Sequence, residues 1–251
     1  MREVEVLSPF TVDHPSPKVS SKYLFVPTSR VIEAMADHGW VVNSQACTKT
    51  EKEERRGYVK HMLRFRPANP ANEIRMGDSI AEVLTVNSHD ATTSWRAQGG
   101  VWRIVCGNGL IVSEVAFPGV VARHHGDLDS IIRASLEVAD RLPILVGQVN
   151  KFKAKSLTPL RQLEFAKAAA HIRYDGKDVV DAKDLLKVNR VEDEPTDLWT
   201  TFNKVQENLS RGGQVGQVGE TGMFRRMRPI GGMNKTIDTN TKLWDLALAY
   251  V

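Results

Sequence analysis

The sequence predicts an α+β fold: an N-terminal, mainly antiparallel sheet with one early helix, followed by a helical C-terminal half. Runs rich in β-branched and aromatic residues crowd the stretch before residue 112, and after Asp127 the apolar period becomes helical. Strands gathered ahead of helices favour α+β over an alternating parallel sheet.

Residues 1–22 read as an extended arm, because Pro15, Pro17 and the polar residues from Ser16 to Ser21 resist regular structure. The arm is expected to be poorly fixed unless a neighbour covers it. Tyr23-Leu-Phe-Val-Pro is a short strand. Thr28 or Ser29 then caps a helix whose apolar face is Val31, Ile32, Met35 and Ala36 and which ends at Gly39. Three strands follow, beginning at Trp40, Tyr58 and Ser79. Between Thr92 and Val112 the pattern suits a buried strand pair turned at Gly99-Gly100, with a further turn at Asn108-Gly109.

The helical half opens with Ile131, Ile132, Leu136 and Val138 and breaks at Pro143. A second helix spans about 144–154, and a third starts at Thr158-Pro159, a cap followed by a favourable first residue. Another begins at Asp197, with Leu198, Phe202, Val205 and Leu209 at helical spacing. The expected division is an arm over 1–22, a core domain over 23–209, a basic Gly-rich loop over 210–241 and a short C-terminal helix over 242–251.

The 251 residues are 41% hydrophobic and 25% charged, an ordinary globular composition. No apolar run reaches membrane-spanning length and Met1-Arg-Glu-Val-Glu-Val-Leu lacks the order of a signal peptide, so a cytoplasmic protein without membrane attachment is expected. Cys47 and Cys106 are too few for a disulfide framework and read as buried thiols.

Charge is concentrated. From Ser210 to Lys242 the formal charge is +4, equal to that of the whole chain, and the stretch holds Phe224-Arg-Arg-Met-Arg. Guanidinium groups and glycine-freed amides meet phosphate oxygens, and Phe224 offers a face to a base. A second +4 patch spans Lys49–Arg66. If the strand there alternates, Lys60, Arg64 and Arg66 share one face while His61, Leu63 and Phe65 line the other. A mobile loop and an ordinary wet sheet face are the bland alternatives. Asn87-Ser-His-Asp and Arg123-His-His-Gly-Asp have residue types suited to a metal site, His89, Asp90, His124 and Asp127, but not the spacing of one. Gly107-Asn-Gly-Leu matches neither phosphate-loop pattern, and no cofactor is expected.

Four segments, Asn87-Ser-His-Asp, Arg103-Ile-Val-Cys-Gly-Asn-Gly-Leu, Arg123-His-His-Gly-Asp and Leu198-Trp-Thr-Thr-Phe-Asn-Lys-Val-Gln-Glu-Asn-Leu-Ser-Arg-Gly-Gly, carry a resemblance. From about residue 23 to the C-terminus the chain resembles the phage/plasmid-like proteins grouped as domain of unknown function nine-thirty-two. The resemblance implies a mobile-element protein and suggests a task in DNA recombination, replication or defence evasion, with no enzymatic chemistry to carry over.

The leading expectation is a homo-oligomeric protein, rather than an enzyme, that binds and anneals single-stranded nucleic acid, similar in character to Red-beta type recombination proteins. Its contact residues would be Arg55, Arg56, Tyr58, Lys60, Arg64, Arg211, Phe224, Arg225, Arg226 and Arg228. Alternatives are a metal-dependent nuclease or other hydrolase built on His89, Asp90, His124 and Asp127, and an inhibitor of a host system that acts by protein contact.

Overall fold

The computed structural model describes residues 8–76, 79–103, 109–111, 120–122, 128–218 and 222–251. The chain divides into two compact units: Met1–Trp102 with Phe117–Pro143, and Arg103–Ala116 with Ile144–Val251. Each encloses its own apolar cluster.

Unit 1 is built on an antiparallel sheet. Strands β1 (Trp40–Cys47), β2 (His61–Pro67), β4 (Ser79–Asn87) and β5 (Trp95–Arg103) lie in that order, with the short β3 (Arg75–Met76) paired to β4 and β7 (Val120–Ala122) paired to β5. Alternation in β2 is as expected. His61, Leu63 and Phe65 are buried, while Met62, Arg64 and Arg66 are half-buried. Register places His61 opposite Asn87, Leu63 opposite Thr85 and Phe65 opposite Val83. Helices α1 (Thr28–Asp37) and α2 (Leu128–Arg141) cover this face and touch each other, and Val31 and Met35 of α1 are fully buried. β4 is buried along its whole length.

Gly99-Gly100 does not turn the chain: β5 runs straight through both glycines, and neither has a positive φ. A tight hairpin needs the left-handed backbone that glycine makes accessible. Here the pair sits in a buried strand interior where side chains are dispensed with.

The arm also differs from expectation, for residues 8–22 are docked on the sheet. The Ser16 amide donates to the His89 carbonyl at 2.9 Å, and the Phe10 ring meets His61 edge-on at 5.5 Å. Val12 and Ser16 are buried.

Unit 2 holds β6 (Gly109–Ile111), α3 (Pro143–Ala154), α4 (Pro159–Arg173), α5 (Ala182–Leu185), α6 (Leu198–Arg211), the hairpin β8 (Val215–Val218) and β9 (Met223–Arg226), and α7 (Met233–Leu248). Thr158 caps α4 as expected, accepting from the Arg161 amide, and Asp197, expected as the first residue of its helix, caps α6, accepting from the Thr200 amide. At the centre, Trp199 and Phe202 of α6 stack at 5.9 Å, and Trp244 of α7 meets Phe202 edge-on at 5.8 Å and Phe152 at 5.2 Å. Rings of this size dominate the burial of a small core. Helix α7 begins at Met233, earlier than the expected 242, because Leu243, Trp244 and Ala247 anchor a longer amphipathic stretch. Among the described residues, no helix is long and apolar enough to cross a membrane.

Candidate nucleic-acid interface

The stretch expected as a basic Gly-rich loop is organised around the β8–β9 hairpin. Its register pairs Val215 with Arg226, Gly216 with Arg225, Gln217 with Phe224 and Val218 with Met223. Directly opposed residues project to the same side, so Val215, Gln217, Phe224 and Arg226 share one face.

The base of the hairpin is fixed from three directions. The Gln217 amide donates to the Val179 carbonyl at 2.8 Å, the Ile230 amide to the Ser210 carbonyl at 2.8 Å, and the Arg173 guanidinium to the Arg228 carbonyl. Two glycines permit this. A Cβ on Gly212 would lie 2.6 Å from the Met227 carbonyl oxygen and one on Gly216 2.8 Å from that of Val179, and Gly212 also has φ +69°.

Beyond this base the side chains stand in solvent. Phe224 is 72% exposed, Met223 54% and Val215 52%, and Arg225, Arg226 and Arg228 are exposed too. None of these arginines has an ion-pair partner among the described residues. A large ring left bare near exposed guanidinium groups can meet a ligand that supplies both a flat apolar face and negative charge.

The candidates of unit 1 behave differently. Arg64 and Arg66 both donate to Glu82, a carboxylate with no exposure, with Arg64 Nε at 2.6 Å, and Asn43 completes the group at 3.2 Å. The Arg64 guanidinium also lies 4.1 Å from the Trp102 ring centre. The charge of this strand face is therefore partly offset by Glu82 across the sheet, and Arg64 is engaged within the fold by Glu82 and Trp102. Tyr58 is buried, and its hydroxyl donates to His14 Nε2 at 2.8 Å while His14 Nδ1–H donates to Asp13 at 2.7 Å, so its ring cannot stack on a base. Arg55 lies 3.6 Å from Asp90 and Arg56 3.5 Å from Glu53. Burial, with the charge of Arg96, lowers the Lys60 pKa. In unit 2, Arg211 pairs with Glu207 at 2.7 Å but keeps a half-exposed side chain.

Asn87-Ser-His-Asp forms a structural corner. The Asn87 amide donates to the Val26 carbonyl, and Ser88 Oγ accepts from the Thr93 amide. Burial alone would raise the Asp90 carboxyl, but hydrogen bonds from the Thr92 hydroxyl and amide and from Ser88, with the Arg55 charge, hold it below its usual value. His89 Nε2–H donates to the Pro9 carbonyl at 2.9 Å, and His61 Nδ1–H to the Val59 carbonyl at 3.0 Å. The Thr28 hydroxyl therefore donates to His61 Nε2, at 2.7 Å, and lies 3.2 Å from His89. This bond explains why Thr28 does not cap α1. The two imidazole rings are 4.8 Å apart, and burial pushes His61 down to about 4. Among the described residues no three His, Cys, Asp or Glu side chains are grouped to hold a metal ion. His124, Asp127 and Cys106 lie outside the described residues. Cys47, expected buried, is exposed near the end of β1.

Sequence reasoning missed the roles of Glu82, His14 and Thr28. Their partners are distant along the chain, and the pairing of β2 with β4, the docking of the arm and the packing of α1 bring them together.

Residues 17–244 match the family described as "Domain of unknown function (DUF932)". The chain is 32% identical over 233 residues to the UPF0380 protein YafZ of Escherichia coli (strain K12), covering 92% of this chain and 83% of that protein. It is also 32% identical over 231 residues to the UPF0380 protein YfjQ of the same organism, covering 91% and 82%. No solved structure matches.

Proposed function

The chain belongs to the DUF932 family, and from that premise we propose that it binds single-stranded nucleic acid through the β8–β9 hairpin. The observation that carries the proposal is the bare Phe224 ring on one hairpin face with Arg226, with Arg225 on the other face and Arg228 just beyond β9, none of them ion-paired among the described residues. Stacking on an aromatic side chain requires an unstacked base, which a single strand offers and a duplex withholds. Three unpaired guanidinium groups supply the backbone contacts. Arg55, Arg56 and Lys60 in unit 1 add to the positive potential but stand near carboxylates, so their share is smaller. Annealing of complementary strands by a homo-oligomer extends the proposal, and size-exclusion chromatography with and without a bound strand tests that extension.

The primary test is fluorescence anisotropy of a labelled oligonucleotide across a salt series, with a duplex control. Three phosphates neutralised on a single strand contribute about −2 to the slope of log K against log salt. The Arg225→Ala/Arg226→Ala/Arg228→Ala variant should bind more weakly, with a slope shallower by about that amount, while unfolding at the wild-type temperature. An unchanged slope would remove the hairpin from the interface.

A further inference from the structure

Beside the root of the hairpin lies a cleft of about 430 Å³, formed entirely within unit 2 between the segment after α5 and the C-terminal end of α6. Its floor is rigid. Asn208 Nδ2 donates to the Leu185 and Lys187 carbonyls at 3.0 and 2.9 Å, and Asn208 Oδ1 accepts from Asn189 at 2.9 Å. One wall is Arg211. Its guanidinium is oriented by Glu207, which Arg190 in turn grips through two N–H groups at 2.6 and 2.7 Å. Arg211 gives only Nη1 to this pair, so the rest of its fork remains available to a ligand.

The lining holds an unsatisfied acceptor. Gln214 is 9% exposed, and its Nε2 donates to the Asn208 carbonyl at 2.6 Å, whereas its Oε1 is buried without a hydrogen-bond partner. Asp184 adds a carboxylate to the lining and Lys187 an ammonium. The cleft therefore presents one carboxylate, Asp184, and two cationic donors, Arg211 and Lys187.

We propose that this cleft binds guanine. Among the four DNA bases only guanine carries two adjacent N–H donors on one edge, N1–H and the N2 amine, and two adjacent acceptors on another, O6 and N7. Arginine and lysine bind the acceptor edge in two-point fashion, and the two oxygens of a carboxylate suit the donor edge. The volume lies within the range of small-ligand sites. The guanine comes either from a base splayed out of the strand held by the hairpin, in which case the inference rests on the function proposed above, or from a free guanine nucleotide.

Two measurements on the full chain separate these sources. The first is saturation-transfer NMR with guanosine monophosphate, using adenosine monophosphate as control. The second is anisotropy with an oligothymidine carrying one central guanine against the all-thymine strand. Saturable transfer to guanosine but not adenosine monophosphate is expected, and the guanine-containing strand should bind roughly 10-fold tighter. Asp184→Asn, at an exposed position, should abolish the guanine preference and leave all-thymine binding unchanged, and Lys187→Ala should weaken guanosine monophosphate binding. Guanosine monophosphate binding without a preference among strands assigns the cleft to the free nucleotide. If guanosine monophosphate binds while no strand does, the cleft stands and the hairpin interface falls. Absence of both guanosine monophosphate transfer and strand preference overturns the inference, whether or not the hairpin holds DNA.

Discussion

In α6 the polar residues Asn203, Gln206, Glu207 and Asn208 are all buried, and each has a partner inside unit 2: Trp199, Asn240, Arg190 and Leu185. In the β8–β9 hairpin, which follows α6 within four residues, Phe224, Arg225 and Arg226 stand in solvent. The two neighbours in sequence put polar and aromatic side chains to opposite uses. The segment that carries the family resemblance most specifically, Trp-Thr-Thr-Phe-Asn-Lys-Val-Gln-Glu-Asn, is a scaffold helix: its aromatic residues form the core and its amide and carboxyl groups hold the surrounding loops. The hairpin has little to do with holding the fold together, and its side chains remain available to a partner.

The contrast is sharpest at Glu207. Glu207→Ala leaves the mostly buried guanidinium of Arg190 with Asp193 alone and should cost about 1.5–3 kcal/mol in urea unfolding. A loss below about 1 kcal/mol would break the contrast, because the helix would then be no more structural than the hairpin.

The buried side of the comparison extends to unit 1, where pH reads it. His61 titrates near 4 in the folded protein and near 6.5 when unfolded, so between these values the unfolded chain holds the extra proton. The stability contributed by neutral His61 is fully present above pH 6.5 and is lost as pH falls toward 4, by about 3 kcal/mol. His61→Gln should flatten that part of the stability profile. A wild-type profile already flat from pH 7 to 4.5 would place His61 in contact with water.

On the exposed side, Phe224→Ala should leave the unfolding midpoint unchanged and weaken single-strand binding by about 1–3 kcal/mol. A shift in the midpoint would show that the ring packs on the body in solution, and the comparison would fail from the other end.

Periodicity made much of this fold legible. β1, β2, β4, α2, α3, α4 and α6 stand close to where the apolar spacing puts them, because each buries one strongly patterned face. What could not be read depends on register or on distant partners. Lys60, Arg64 and Arg66 do share a strand parity, yet nothing near them in the chain announces Glu82, which reaches Arg64 and Arg66 only through the pairing of β2 with β4. Tyr58 offered an aromatic ring in a basic stretch, and its burial against His14 depends on an arm that composition alone describes as loose. The glycines from Gly212 to Gly222 look like a flexible loop, although Gly212 and Gly216 serve the close packing of the hairpin base. In the candidate interface, Phe224, Arg225, Arg226 and Arg228 were legible as a cluster because a local cluster needs no tertiary information. The Gln214 cleft was not.

The bond from His89 to the Pro9 carbonyl joins residues 80 apart in sequence. Contacts of such long range form late, since the loop between them must close before they return any energy. The sheet and α1 can pair first, and the arm docks onto a sheet already assembled. Interactions that form after the transition state govern how fast a protein comes apart more than how fast it comes together. The strap across the two histidines should therefore act as a latch on unit 1: its loss should leave the folding rate nearly unchanged and shorten the lifetime of the folded state, which stopped-flow refolding and unfolding rates check.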